Sequence, residues 1–161
     1  MLALAFTAFL TLVQATQTGT VTGVVKLPNG SRPTQTAQAA LLPAKYADMW
    51  NKQLQQRLDN YWEIYKPELL VNKEHVPEIY RMAHVEAFRY ITSAMRRELG
   101  DGASKFIKDT ANGQFEFRGI PLGTYQLLVR TSAAGQDVVW SRTVDVDSDV
   151  PVFADLGQPV S

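Results

Sequence analysis

Gly113-Gln-Phe-Glu-Phe-Arg-Gly-Ile-Pro-Leu-Gly-Thr-Tyr-Gln-Leu-Leu-Val129 reads as a strand, a tight turn and a second strand. Phe115 and Phe117 alternate with Glu116 and Arg118, the period of a strand with one buried face. Pro121 sets φ for the first central position of a turn, and Gly123 follows two residues later. Tyr125, Leu127 and Val129 resume the alternation. Tyr125 suits a structural tether, its hydroxyl bonded to backbone across the corner. The stretch carries no nucleophile, metal cluster or phosphate cradle.

Further β pattern flanks it. Downstream, Val138, Trp140, Val144 and Val146 fall on one face of a strand, with Trp140 expected in the core. Asp147 to Asp149 form a turn, and Val152 to Leu156 a last short strand. Upstream, Thr20 to Leu27 is rich in β-branched residues, with Gly23 marking a bulge or a close approach. Ala37 to Leu42 reads as a second strand, ending at Pro43.

Between these blocks the character changes. Tyr46, Trp50, Leu54, Leu58, Tyr61 and Tyr65 recur at spacings of three and four, the stripe of an amphipathic helix. Pro67 is expected to stop it, because the residue before a proline leaves the α region. Pro77 and Glu78 suit the start of a second helix, whose stripe is Tyr80, His84, Phe88, Ile91, Met95 and Leu99. Gly100 is a natural residue to end it, and Ser104 to Lys108 add a further helical turn. The two helices form an antiparallel hairpin of roughly 20 residues each. The expectation is therefore an α+β chain: an antiparallel β-sandwich with a helical insertion at 44–108, between its second and third strands, within a single domain at 16–161.

Composition narrows the function. Sixteen basic and sixteen acidic residues balance, so general nucleic-acid binding is not expected. Met1 to Val13 is apolar, too short to span a bilayer but of signal-peptide length. Val13-Gln14-Ala15 offers a cleavage site, so 1–15 reads as a signal peptide and the mature chain as secreted or periplasmic, not integral to a membrane. That run has no Lys or Arg ahead of it. The chain has no cysteine, and must rest on its core without disulfides.

Gly19-Thr-Val-Thr-Gly-Val-Val, Ala37 to Pro43, Gly113-Gln-Phe-Glu-Phe and Ile120-Pro-Leu-Gly-Thr-Tyr-Gln-Leu-Leu-Val together resemble the carboxypeptidase regulatory-like domain family. The closing Val144-Asp-Val extends the match, which covers under half of the chain. The resemblance implies a transthyretin-like, seven-stranded sandwich acting as an exported, usually non-catalytic accessory module. It implies nothing about the helical block.

The candidate chemistry is sparse. His75 and His84 are the only histidines, and neither sits in an HExxH pattern or a triad order. Asp145, Asp147 and Asp149 resemble the start of an EF-hand loop, but Val150 and Leu156 stand where its Gly and Glu belong. No metal or cofactor is therefore expected. Trp50, Tyr61, Trp62 and Tyr65 are the candidate interaction residues. At helical spacing they suit a core, and if exposed they suit a partner surface or a sugar-stacking platform. Transthyretin-related hydroxyisourate hydrolases carry a His and an Arg on early strands and end in Tyr-Arg-Gly-Ser. Here both histidines lie in the helical block and the chain reads Gln158-Pro-Val-Ser161 at its end, which departs from that pattern. The expected function is a non-enzymatic envelope interaction module. Its partner is another protein, with a glycan as the alternative ligand and self-association through the helices a further expectation.

Overall fold

The computed structural model describes residues 16–160. The signal-peptide expectation at 1–15 lies outside them. The described elements are β1 (Thr18–Val24), β2 (Ala37–Leu42), α1 (Ala44–Val71), α2 (Val76–Leu99), β3 (Ile107–Thr110), β4 (Gln114–Pro121), β5 (Gly123–Ala133), β6 (Gln136–Val146) and β7 (Val152–Asp155). The chain is α+β, with a helix-rich insertion among the strands of two sheets. One sheet has the order β4-β1-β7 and the other β3-β2-β5-β6. All neighbours are antiparallel except β7, which lies parallel to β1.

Period-2 alternation builds the first core. Val21, Phe115, Phe117, Ile120 and Ala154 from the smaller sheet meet Leu41, Tyr125, Leu127, Val129, Trp140 and Val144 from the larger. The Tyr125 hydroxyl donates to the Pro121 carbonyl at 2.7 Å, the tether expected from the sequence. Gly23 faces this core, where a Cβ would lie 2.3 Å from Phe115 Cζ and 2.9 Å from the Ala154 carbonyl oxygen. Its missing side chain is the space the phenyl ring occupies. The register shift in the β1–β4 pair falls instead between Gly19 and Val21, opposite Gly119 with φ of 64°.

A second core lies on the other face of the four-stranded sheet. Ala40, Leu42, Leu128 and Val139 point outward and meet Tyr46, Trp50, Val85, Phe88, Ile91 and Met95. The protein thus has three layers: small sheet, large sheet and helical hairpin. The hairpin replaces the turn between β2 and β3. β2 leads through Pro43 into α1, and the chain returns by α2 to β3, which pairs with β2 from Ala37↔Thr110 to Ala40↔Ile107. The hairpin brings its own ends together, so so large an insertion needs little extra loop-closure entropy.

Two expectations are corrected. Pro67 does not stop α1, which continues to Val71. A mid-helix proline costs about 3 kcal/mol. Here it is solvent-exposed, so water can bond the carbonyl that it leaves free, and Leu69 beyond it is 3% exposed. Burying that leucine returns about 1.5–3 kcal/mol. Second, 107–108 belong to β3 rather than to a helical turn. The 3-10 segment comes earlier, at Gly100–Lys105. Phe106 and Ile107 cannot extend it, because Phe106 gives its carbonyl to Leu41 N–H at 2.8 Å and Ile107 pairs with Ala40.

Asp137, at the start of β6, fastens the hairpin to the sheet. Its carboxylate accepts from Arg89 Nη2 at 2.9 Å and Arg130 Nη1 at 3.0 Å, and its carbonyl accepts from Arg81 Nη1 at 2.8 Å. Asp137→Asn should lower unfolding free energy by about 1–2 kcal/mol, discounted because Asp137 is a quarter exposed and Arg89 largely so. Urea unfolding checks this, and an unchanged midpoint would show that the clip is ornamental.

Candidate interaction surface

The hairpin divides into a docked and an overhanging half. Over the sheet, Tyr46 and Trp50 of α1 and His84, Phe88, Ile91 and Met95 of α2 are buried. The two helices are laced there by Glu98, which takes Lys45 Nζ at 2.6 Å and Tyr46 Oη at 3.0 Å. The 28 residues of α1 extend about 42 Å at 1.5 Å each. Among the described residues, none of α1 past Arg57 joins the packed layer on the sheet.

In the overhang, Tyr61 donates to Glu86 Oε1 at 2.5 Å and joins the helices. Burial, then that carboxylate, pushes the Tyr61 phenol up to about 12, so it remains a donor throughout the neutral range. Leu69 packs against α2. Two grooves run along the helix seam. One, of about 260 Å³, is lined by Leu58, Asp59, Trp62, Leu69, Ile79 and Tyr80. The other, of about 300 Å³, is lined by Tyr65, Leu69, His75, Ile79 and Met82.

Around these grooves lie large apolar side chains that the described residues leave exposed. Val71 is 80% exposed, Ile64 66%, Leu70 60%, Tyr80 47% and Trp62 43%. Of the four candidate residues, Trp50 is buried under the hairpin and unavailable to any ligand, and Tyr61 is half-buried. Trp62 and Tyr65 remain exposed. The Tyr61 and Tyr65 rings lie 6.1 Å apart with planes tilted by 33°. Ile64, Leu70, Val71 and Tyr80 were not among the candidates. The signal for two of them was present: Trp50, Arg57, Ile64 and Val71 fall every seventh residue, on one helix face. Reading Pro67 as a stop truncates that series.

His84 sits at the junction of the two halves, 8% exposed. Its ring lies 5.9 Å from Trp50 and stacks at 6.5 Å on Tyr80, and its Nδ1 is 2.7 Å from the Tyr80 carbonyl. Burial holds its pKa below the ordinary imidazole value, the carbonyl opposing only in part. The folded state therefore prefers the neutral ring. The stability this gives is complete above the unfolded value, about 6.5, and is lost as pH falls through the depressed folded value. His84→Gln should flatten the pH dependence of thermal unfolding as pH falls below about 6.5. An identical slope in the variant would place the titrating group elsewhere.

Among the described residues, no group of three His, Cys, Asp or Glu side chains is placed to hold a metal ion. Asp145 instead accepts a hydrogen bond from Thr124 Oγ1 at 2.7 Å. His75 is paired with Glu68 at 2.8 Å. No described helix is long and apolar enough to cross a membrane. The uncovered face of the small sheet carries one large apolar side chain, Phe153, beside a cavity of about 400 Å³ that Thr22, Gln114 and Glu116 also line.

No family model matches the chain. No curated protein matches it. Among solved structures, it is similar to the crystal structure of a "putative carbohydrate binding protein" from Pseudomonas aeruginosa, at 15% identity and a TM-score of 0.37, over 90% of this chain and 91% of that one. A likeness at that level carries no argument about function.

Proposed function

We propose that this chain is a non-catalytic interaction module, exported to the periplasm or secreted, whose overhanging hairpin is its contact element. The observation that carries the reading is the set of exposed apolar side chains on the overhang: Ile64, Leu70 and Val71 along one side of α1, and Trp62 and Tyr80 at the helix seam. Exposed apolar side chains gathered on one element are a mark of an interface. Export is supported by the apolar run at Met1 to Val13 and the small residues at its end. Kinship with carboxypeptidase regulatory-like domains is part of the same proposal, supported by the strand strings quoted above.

The test is a photo-crosslinking amino acid placed at Val71 in producing cells, with Ser31 as a control on an exposed loop of the sandwich. A discrete adduct from Val71 and none from Ser31 is expected. Equal adducts, or none, would remove the hairpin from the contact.

The groove between Trp62 and Tyr80 supports a second reading, a glycan-binding module. Two exposed aromatics flank it and Gln55 and Asp59 lie on its rim, the mixture of stacking faces and polar partners that sugars use. A glycan array with wild-type protein and Trp62→Ala separates the readings. Binding lost in the variant favours the sugar, and an empty array removes it.

A further inference from the structure

We propose that the exposed face of α1 around Pro67 pairs, antiparallel and by a two-fold axis, with the same face of a second copy of this chain. The inference rests on the interaction reading above and names its partner. Ile64, Pro67, Leu70 and Val71 recur at spacings that place them on one side of the helix, and all four are exposed. Trp50 and Arg57, on the same seven-residue series, are engaged lower down by the sheet and by Glu86. Ile64 and Val71 continue that series past the sheet, where none of the described residues covers them.

Charge selects the occupant. Glu78 is paired with Arg81, while Glu68 turns Oε1 to His75 Nδ1 and keeps Oε2 for a further partner. Among the described residues, Lys66, Lys73, Glu63 and Glu74 make no ion pair, so the rim of the patch carries two free positive and two free negative side chains. A nucleic acid or an anionic membrane would want a positive excess. A balanced rim is complementary to itself, which is what an isologous interface requires, since each residue then meets its counterpart's opposite number.

Register follows from the axis. With Pro67 at the two-fold, Ile64 lies opposite Leu70 of the second copy, and Lys66 opposite its Glu68. Lys73 comes within one helical turn of the second copy's Glu63. Glu63 offers it two acceptors, because Pro67 has no N–H for the Glu63 backbone carbonyl. Two hairpins joined this way form a four-helix arrangement that covers Ile64, Leu70 and Val71 from both sides.

The chain has no cysteine, so one introduced thiol reports contact between copies without ambiguity. Pro67→Cys in the otherwise intact mature chain should form a disulfide dimer under mild oxidation at least ten-fold faster than Thr22→Cys, on the opposite side of the sandwich. Light scattering should give a dimer for wild type and a monomer for Glu63→Lys. It should also give a monomer for Lys73→Glu. Mixing the two monomeric variants should restore a dimer, with circular dichroism unchanged throughout. A wild-type monomer together with equal oxidation rates for the two cysteine variants would overturn the pairing. So would a monomeric chain that sediments with neutral phosphatidylcholine vesicles through Ile64 and Val71. A monomer that still gives the Val71 adduct in cells overturns self-pairing and leaves the interaction reading standing, whereas a monomer with no adduct overturns both.

Discussion

Trp50→Ala should lower the free energy of unfolding by about 3–5 kcal/mol, the range for removing a buried tryptophan. Trp50 is 2% exposed and lies at the centre of the layer between helices and sheet, against His84 and the residues that Leu128 and Val139 present. Its loss leaves a cavity where α1 meets the sheet, and α1 gives way first because Tyr46 is its only other fully packed side chain in that layer and its polar ties are exposed. The Lys45–Glu98 pair is one of these, and such pairs contribute little in water. Denaturant titration followed by the fluorescence of Trp140, in the other core, with Trp62 replaced by Phe so that Trp140 alone emits, should report a sandwich that outlasts the helices. A loss under about 1 kcal/mol would mean that the helices are not held on the sheet by this contact.

The opposite kind of error, adding atoms, should be as damaging at Gly23. Gly23→Val puts branched carbon where the Phe115 ring and the Ala154 carbonyl already are, at 2.3 Å and 2.9 Å from the first added atom. Overpacking typically costs about 1–3 kcal/mol. This site belongs at or above the top of that range, because one obstacle is backbone on β7. The phenyl ring can yield only by leaving a position that is 6% exposed. A double-mutant cycle with Phe115→Ala separates the two obstacles. The double variant should lose clearly less than the sum of the singles, since the smaller side chain vacates the space. Strict additivity would show that the β7 carbonyl, not the ring, enforces glycine.

The two sheets were legible because their strands follow period-2 alternation, and Tyr125 because Pro121 and Gly123 fix the corner it spans. The helices were legible from three- and four-residue spacing. That the hairpin lies on the large sheet was written less openly. Leu127-Leu128-Val129 and Val138-Val139-Trp140 are apolar on both faces, the mark of a strand covered on each side, whereas attention to one face finds only the sandwich. β3 was hidden because Ile107 to Thr110 is four residues with a charged centre, and becomes a strand only by pairing with β2. The parallel β1–β7 pair joins the two ends of the described chain, a contact no local pattern records. Of the contact surface, the aromatic residues were visible and the aliphatic ones were not, since Pro67 breaks the propensity argument while the folded helix accepts it. The grip of Asp137 on Arg81 and Arg89 spans 48 residues or more and has no local signal.

The way the hairpin is rooted also sets how the molecule bears load. Its two feet are the adjacent ends of β2 and β3, joined across the gap by the Leu41–Phe106 bond. Traction on the tip is therefore delivered at one end of a short antiparallel ladder, which opens from Ala40↔Ile107 pair by pair like a zip. It is not resisted by all pairs in shear. The Asp137 clip lies farther out along α2 and slackens first, and β2 stays anchored by its other neighbour, β5. The docked half of the hairpin is thus held to its base by the buried layer on the large sheet, and bending falls on the overhang beyond it.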